Sequence, residues 1–139
     1  DLLLESVITH LPCGLAVFDE DLRHITCNPQ MQDLLGLPKS LVESEDLSLQ
    51  DVLTYEALAG EFGPGDPQAQ VEARLELARS GVDRQMERVR PDGRVLDVRI
   101  AHTPNGEVVH VISDVTERRR SQQRLAHLHL LHSSARLFE

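Results

Sequence analysis

The residues of this chain that could carry chemistry are few and do not gather into a reactive set. Seven histidines occur, three of them close together as His127, His129 and His132. On a helix His129 and His132 share a face at i, i+3, but no carboxylate or further ligand accompanies them, and a zinc site wants about four donors. His132 opens the run His132-Ser133-Ser134-Ala135-Arg136. A histidine-kinase phosphoacceptor motif has an acidic residue directly after the histidine and a proline soon after, and neither stands there. His10, His24, His102 and His110 are scattered, and an isolated strand histidine is structural by default. The two cysteines, Cys13 and Cys27, lack CxxC spacing. That leaves a disulfide framework and a structural zinc site unsupported, and two ordinary buried thiols outrank a redox pair across the first hairpin.

Other enzyme signatures are missing as well. There is no Gly-rich phosphate loop, no nucleophile elbow and no HExxH, and the carboxylates read as diffuse surface charge. The net charge is −9, with +3 carried from Val115 onward and −12 before it. An acidic body excludes phosphate-backbone binding, which needs clustered Lys and Arg. The run Arg118-Arg119-Arg120 reads as a solvated helix face, so no nucleic-acid partner is expected.

A chain of 139 residues with 40% hydrophobic and 27% charged residues suits one globular domain with a single core. No apolar run approaches the roughly 20 residues that cross a bilayer, and no signal peptide opens the chain. The first residue is Asp1 rather than Met, so the expectation is a fragment of a longer protein. The fragment is expected to be cytoplasmic without direct membrane contact, and an anchor elsewhere in the parent stays open.

The elements that must position any site follow from periodicity. Leu2, Leu3, Leu4, Val7, Ile8 and Leu11 recur at helical spacing until Pro12 and Gly14. Leu15–Asp19 and Arg23–Cys27 read as a hairpin about Glu20-Asp21. Asn28-Pro29 starts a short helix carrying Met31, Leu34 and Leu35 that Gly36 ends, with Asn28 as its cap. Ser48 with Asp51 caps a segment holding Val52, Leu53 and Leu58. Asp66-Pro67 repeats the cap-plus-proline signal for a helix through Val71, Leu75 and Ala78 up to Gly81. Val82–Arg90, Arg94–Thr103 and Glu107–Val115 are strands divided by Asp92-Gly93 and Asn105-Gly106 turns. In the middle strand Leu96, Val98 and Ile100 share a face, opposite Val95, Asp97 and Arg99. Thr116 opens a last helix, with Leu128, Leu131, Ala135 and Phe138 spaced like a coiled-coil seam. The sum is an α+β architecture, one five-stranded antiparallel sheet with helices over one face and a flanking helix at each end.

With these motifs in place the chain resembles a PAS domain. Gly14-Leu15-Ala16-Val17-Phe18-Asp19, then Asn28-Pro29 and Leu35-Gly36-Leu37-Pro38, resemble its first half. Arg90-Pro91-Asp92-Gly93-Arg94 resembles a turn between its later strands, and Asp114-Val115-Thr116-Glu117-Arg118 its closing motif. The segment Gly60–Asp66 is similar to the sensory-box branch found in bacterial hybrid histidine kinases and cyclic-di-nucleotide regulators. The resemblance implies a PAS module over residues 12–116, a flanking helix over 1–11 and a signalling helix or coiled-coil linker over 117–139. It implies a non-catalytic sensor of a small molecule or partner within a bacterial two-component kinase or diguanylate cyclase or phosphodiesterase. The effector would lie in the same chain, and the module would form a homodimer. A ligand-free dimerisation adaptor is the alternative, with a redox or cofactor-binding sensor behind it.

Three groups of residues then stand out. Asp114 and Thr116 can cap the exit helix, Glu117 adds a favourable charge at its positive end, and the resemblance adds relay of a signal through all three. Phe18, Phe62, Met86, Arg88, Leu96, Val98 and Ile100 are the expected pocket lining. Hairpin register decides whether Arg84, Met86 and Arg88 or Gln85, Glu87 and Val89 lie beside the Leu96/Val98/Ile100 row. A pairing of Arg88 with Asp97 across the strands is the bland reading of that charge. No cofactor is expected: no flavin-type cysteine motif appears, the Pro67–Ser80 helix has no histidine for haem, and Phe18, Tyr55, Phe62 and Phe138 are the only aromatics. An unidentified small-molecule ligand remains compatible, and no metal is expected.

Overall fold

Two turn-bounded groups of strands meet in one sheet in the computed structural model, which describes residues 2–137 without the side chains of 5, 8 and 134–137. In chain order the elements are α1 (Leu2–His10), β1 (Gly14–Phe18), β2 (His24–Cys27), α2 (Pro29–Leu35), α3 (Lys39–Val42), α4 (Leu49–Leu58) and α5 (Pro67–Arg79). They continue as β3 (Arg84–Val89), β4 (Val95–His102), β5 (Val108–Asp114) and α6 (Thr116–Leu137). The sheet is antiparallel in the order β2-β1-β5-β4-β3. The early hairpin therefore joins the late meander through β1 and β5. The short α3 has no counterpart in the periodicity, because four residues are too few to display one.

Local chemistry explains the element boundaries. Asn28 Oδ1 accepts the N–H of Met31 at 3.1 Å and that of Leu15 at 2.9 Å, capping α2 and tying it to β1. The turn from β1 to β2 closes on Asp19, whose carboxylate accepts the N–H groups of Asp21 and Arg23. Ser48 and Asp51 form a reciprocal capping box on α4, and Asp66 accepts the N–H of Ala69 to cap α5. Gly14 has a different role: a Cβ there would lie 2.8 Å from Met31 Cα, so its missing side chain lets α2 press on β1.

The pairing register fixes which side chains share a face. Met86 lies opposite Val98, Arg88 opposite Leu96 and Arg84 opposite Ile100. Of the two registers open to the sequence, Arg84, Met86 and Arg88 are thus on the inner row. Val98 in turn faces Ile112, and Ile100 faces His110, which pairs with Ala16. Helices α2 to α5 cover this inner face, and the buried cluster runs between the layers through Phe18, Met31, Leu53, Leu75, Leu96 and Ile112. Leu58 is the exception among the α4 positions, at 72% exposed.

Candidate functional site: a cavity under the helices and the anchor of the exit helix

Between the inner face of the sheet and the helices lies a cavity of about 400 Å³, inside the roughly 300–1,000 Å³ range of small-molecule sites. Each layer contributes by its own periodicity. Strands give alternate residues, so Ala16 and Phe18, Val98 and Ile100, and His110 and Ile112 all reach it. Helix α4 gives Val52, Leu53 and Glu56, and α5 gives Arg74, Leu77 and Ala78. Met86, at 39% exposed, and Arg74 border it from β3 and α5.

Of the residues expected to line a pocket, Phe18, Phe62, Met86, Arg88, Val98 and Ile100 border this cavity. Leu96 does not. It is 0% exposed, so packing closes over it on every side and none of its surface is left for the cavity. The pairing of Arg88 with Asp97 is also corrected. Asp97 accepts from Gln85 and Arg99 on the opposite face, while Arg88 points inward. Side chains on adjacent strands that alternate out of phase cannot meet through the sheet.

Arg88 instead belongs to a buried charge network. Its Nη2 donates to Glu56 at 2.9 Å and its Nη1 to Glu61 at 3.0 Å. Arg90 holds Glu61 from the other side at 2.6 Å and donates to the Leu34 carbonyl, where α2 leaves carbonyls unpaired. Burial outweighs the pull of Arg88 and lifts the Glu56 carboxyl above its usual range. The hydrogen bonds that Arg90 donates to Glu61 favour the charged form of Arg90 and raise its pKa. Phe62 sits among these cations, its ring centre 3.6 Å from the Arg74 guanidinium carbon and 5.3 Å from that of Arg88.

Two histidines flank Phe18, with ring centres 5.8 Å from it for His24 and 5.5 Å for His110. Burial, helped by nearby His102, lowers the His110 pKa to about 4, so the ring is neutral at physiological pH. Burial likewise lowers His24. The Nε2 atoms of both rings are shut off from solvent without a hydrogen-bond partner among the described residues. An unpartnered buried polar atom costs on the order of 1–3 kcal/mol.

Sequence reasoning left Glu56, Glu61 and Arg74 out of the site and read His110 as structural. Three of them had a signal. Leu49, Val52, Leu53, Glu56 and Ala57 follow one helical stripe, as do Val71, Arg74, Leu75 and Ala78. In each stripe a charge occupies a place where the period demands burial. His110 similarly alternates with Val108 and Ile112 on the inner face. Glu61 lies in a loop, where no period marks it.

On the outer face the exit helix is anchored to β4. The Val95 carbonyl accepts the N–H of Val115 at 2.9 Å, and the Val95 N–H donates to Thr116 Oγ1 at 2.9 Å. The Thr116 hydroxyl donates to Asp114 Oδ1 at 2.5 Å, and the same oxygen accepts the Thr116 N–H at 2.9 Å. These bonds hold the Asp114 carboxyl below the ordinary carboxylate range. Glu117 stands apart, exposed and paired with Arg120 at 3.2 Å. Arg119 and Arg118 reach Glu87 of β3 at 3.2 and 3.9 Å, so the basic run stays in solvent while leaning on the sheet edge. Along α6 Leu128 and Leu131 are exposed. The side chain of Ala135, like that of Ile8, lies outside the described residues, and so does Phe138.

Among the described residues no group of histidines, cysteines and carboxylates could hold a metal ion, and no helix is long and apolar enough to cross a membrane. A family model described as PAS fold matches residues 8–123. Among solved structures, the PAS domain of BvgS from Bordetella pertussis matches with a TM-score of 0.59 at 18% identity, over 91% of this chain and 94% of that one. A domain of a sensory box sensor histidine kinase/response regulator from Geobacter sulfurreducens matches at 0.52 and 16% identity, over 81% and 92%. The phage VqmA–DPO complex matches at 0.58 and 18%, over 94% and 59%. Among curated protein sequences no significant match is found.

Proposed function

The chain belongs to the PAS family, and from that premise we propose that it is the sensory module of a bacterial signal-transduction protein. In this reading the cavity receives a small molecule or a partner's side chain, and α6 relays the change to an effector in the same chain. A sensor histidine kinase or a diguanylate cyclase or phosphodiesterase would be that effector. One observation carries the reading: β4 presents Val98 and Ile100 to the cavity while its first residue, Val95, holds both Val115 and Thr116. A shift of this strand therefore changes the seat of the exit helix, and states a few kcal/mol apart are enough for a switch. Asp114 and Thr116 are the relay residues, with Glu117 adding charge at the helix start. The module spans residues 12–116, flanked by 1–11 and 117–139.

Native mass spectrometry of the purified chain, paired with hydrogen exchange, tests this. Added mass from a retained small molecule is expected, together with a change in exchange at residues 116–120 once it is extracted. A chain that retains nothing and whose α6 amides respond to no ligand would remove the sensory reading.

A second reading, a ligand-free dimerisation adaptor, draws on exposed apolar residues at both ends. Leu2, Leu3, Leu4 and Val7 on α1 and Leu125, Leu128 and Leu131 on α6 are all at least half exposed, as expected of surfaces that meet a second copy. Sedimentation at high concentration is expected to give a dimer, and a persistent monomer would count against it.

A further inference from the structure

Of the two arginines that line the cavity, Arg74 and Arg88, one lacks a carboxylate partner among the described residues. Arg88 is engaged by Glu56 and Glu61, and Arg90 by Glu61. Arg74, whose guanidinium lies on the Phe62 ring, donates to the Gln70 carbonyl at 3.1 Å. Among the described residues no carboxylate lies within ion-pair distance of it. Glu56 is the carboxylate whose field reaches it, but that group is already held by Arg88. Desolvation, with repulsion from Arg88, lowers the Arg74 pKa, yet an arginine stays protonated at any working pH.

Two further features narrow what such a cation would meet. The rest of the cavity surface is mainly aliphatic, with Met31, Leu53, Val98, Ile100 and Ile112 prominent. His110 turns a neutral ring toward it, with an Nε2 that no described residue satisfies. The protein alone therefore leaves one cation of this cavity and two polar atoms, the Nε2 of His110 and that of His24, incomplete, with apolar surface between.

We propose that the cavity takes a small amphipathic carboxylate. Its anionic group lies on Arg74 against Phe62, its aliphatic body along Val98, Ile100 and Ile112, and a second polar group meets His110. The assignment rests on reading the cavity as a ligand site and names the chemistry of that ligand.

Calorimetry on the wild-type chain with decanoate, neutral decanamide and cationic decylamine tests it. Decanoate is expected to bind about tenfold or more tightly than decanamide, the scale of a charge-assisted hydrogen bond, and decylamine more weakly than either. Arg74→Met is expected to erase the preference for decanoate while leaving decanamide binding and the melting temperature in place. His110→Leu is expected to leave decanoate unaffected, since that probe carries no second polar group. Equal binding of decanoate and decanamide, or a decanoate affinity lost in His110→Leu but kept in Arg74→Met, overturns the assignment while the cavity remains a ligand site. Failure of all three probes, with no small molecule retained in the mass spectrum, overturns both.

Discussion

The Thr116 hydroxyl accepts the backbone N–H of Val95 at 2.9 Å, so the first residue of the exit helix completes the hydrogen bonding of the first residue of β4. A strand end normally finds that acceptor in the neighbouring strand. Here a side chain supplies it, and the attachment of α6 and the integrity of β4 become one property.

Thr116→Val keeps the shape and removes the acceptor. The loss is expected to be about 1–3 kcal/mol, because Thr116 is buried and the Val95 N–H is left unsatisfied. Urea unfolding reads the stability, and hydrogen exchange at residues 116–120 is expected to speed up beyond that global change. Thr116→Ser should restore both.

Arg88→Met leaves Glu56 buried without its ion-pair partner and is expected to cost about 3 kcal/mol or more. Adding Glu56→Leu removes the orphaned charge and should recover most of the loss, giving a coupling energy in the double-mutant cycle. Independent, additive effects of the two substitutions would contradict a shared network.

Acid should act on His110. Its pKa falls from 6.5 to about 4 on folding, so the unfolded chain binds the proton more readily. Stability is expected to be intact above pH 6.5 and to drop as pH falls toward 4, by about 3 kcal/mol at the end of that window. His110→Leu should remove this slope. Glu56 acts with the opposite sign: its raised pKa costs stability as pH rises through and above 4.5, and Glu56→Gln should flatten that part of the curve.

Asn28→Ala removes an acceptor of two N–H groups and the donor to the Cys13 carbonyl. With Asn28 at 2% exposed, water cannot replace those bonds, and a loss of about 2–4 kcal/mol is expected. Asp66→Ala loses an exposed cap and should cost about 1 kcal/mol. Gly14→Ala, pressed on the Met31 backbone, is expected to cost about 1–3 kcal/mol by overpacking. Thermal unfolding of the three variants checks the order.

Much of the fold was legible because its signals are local. The caps at Asn28, Ser48 and Asp66, the Asp92-Gly93 and Asn105-Gly106 turns and the alternation in β4 each depend on residues a few places apart, and all stand where periodicity put them. The exit motif was legible for the same reason, since Asp114 and Thr116 are two residues apart. Glu117 stands in the first turn of the same helix, exposed and paired with Arg120.

The interior of the site was not legible in that way. The bond from Arg88 to Glu56 spans 32 positions and that from Arg90 to Glu61 spans 29, and no local rule chooses a partner at such range. Apart from the four-residue α3, the sequence by itself determined the elements, their order and the apolar face of each, because side-chain period follows from backbone geometry. Tertiary structure alone decided the register that turned Arg88 inward, the closure that sealed Leu96 away from the cavity, and the set of charges Arg74 is left without. These depend on which surfaces meet, and burial energy is settled only when both surfaces are in place.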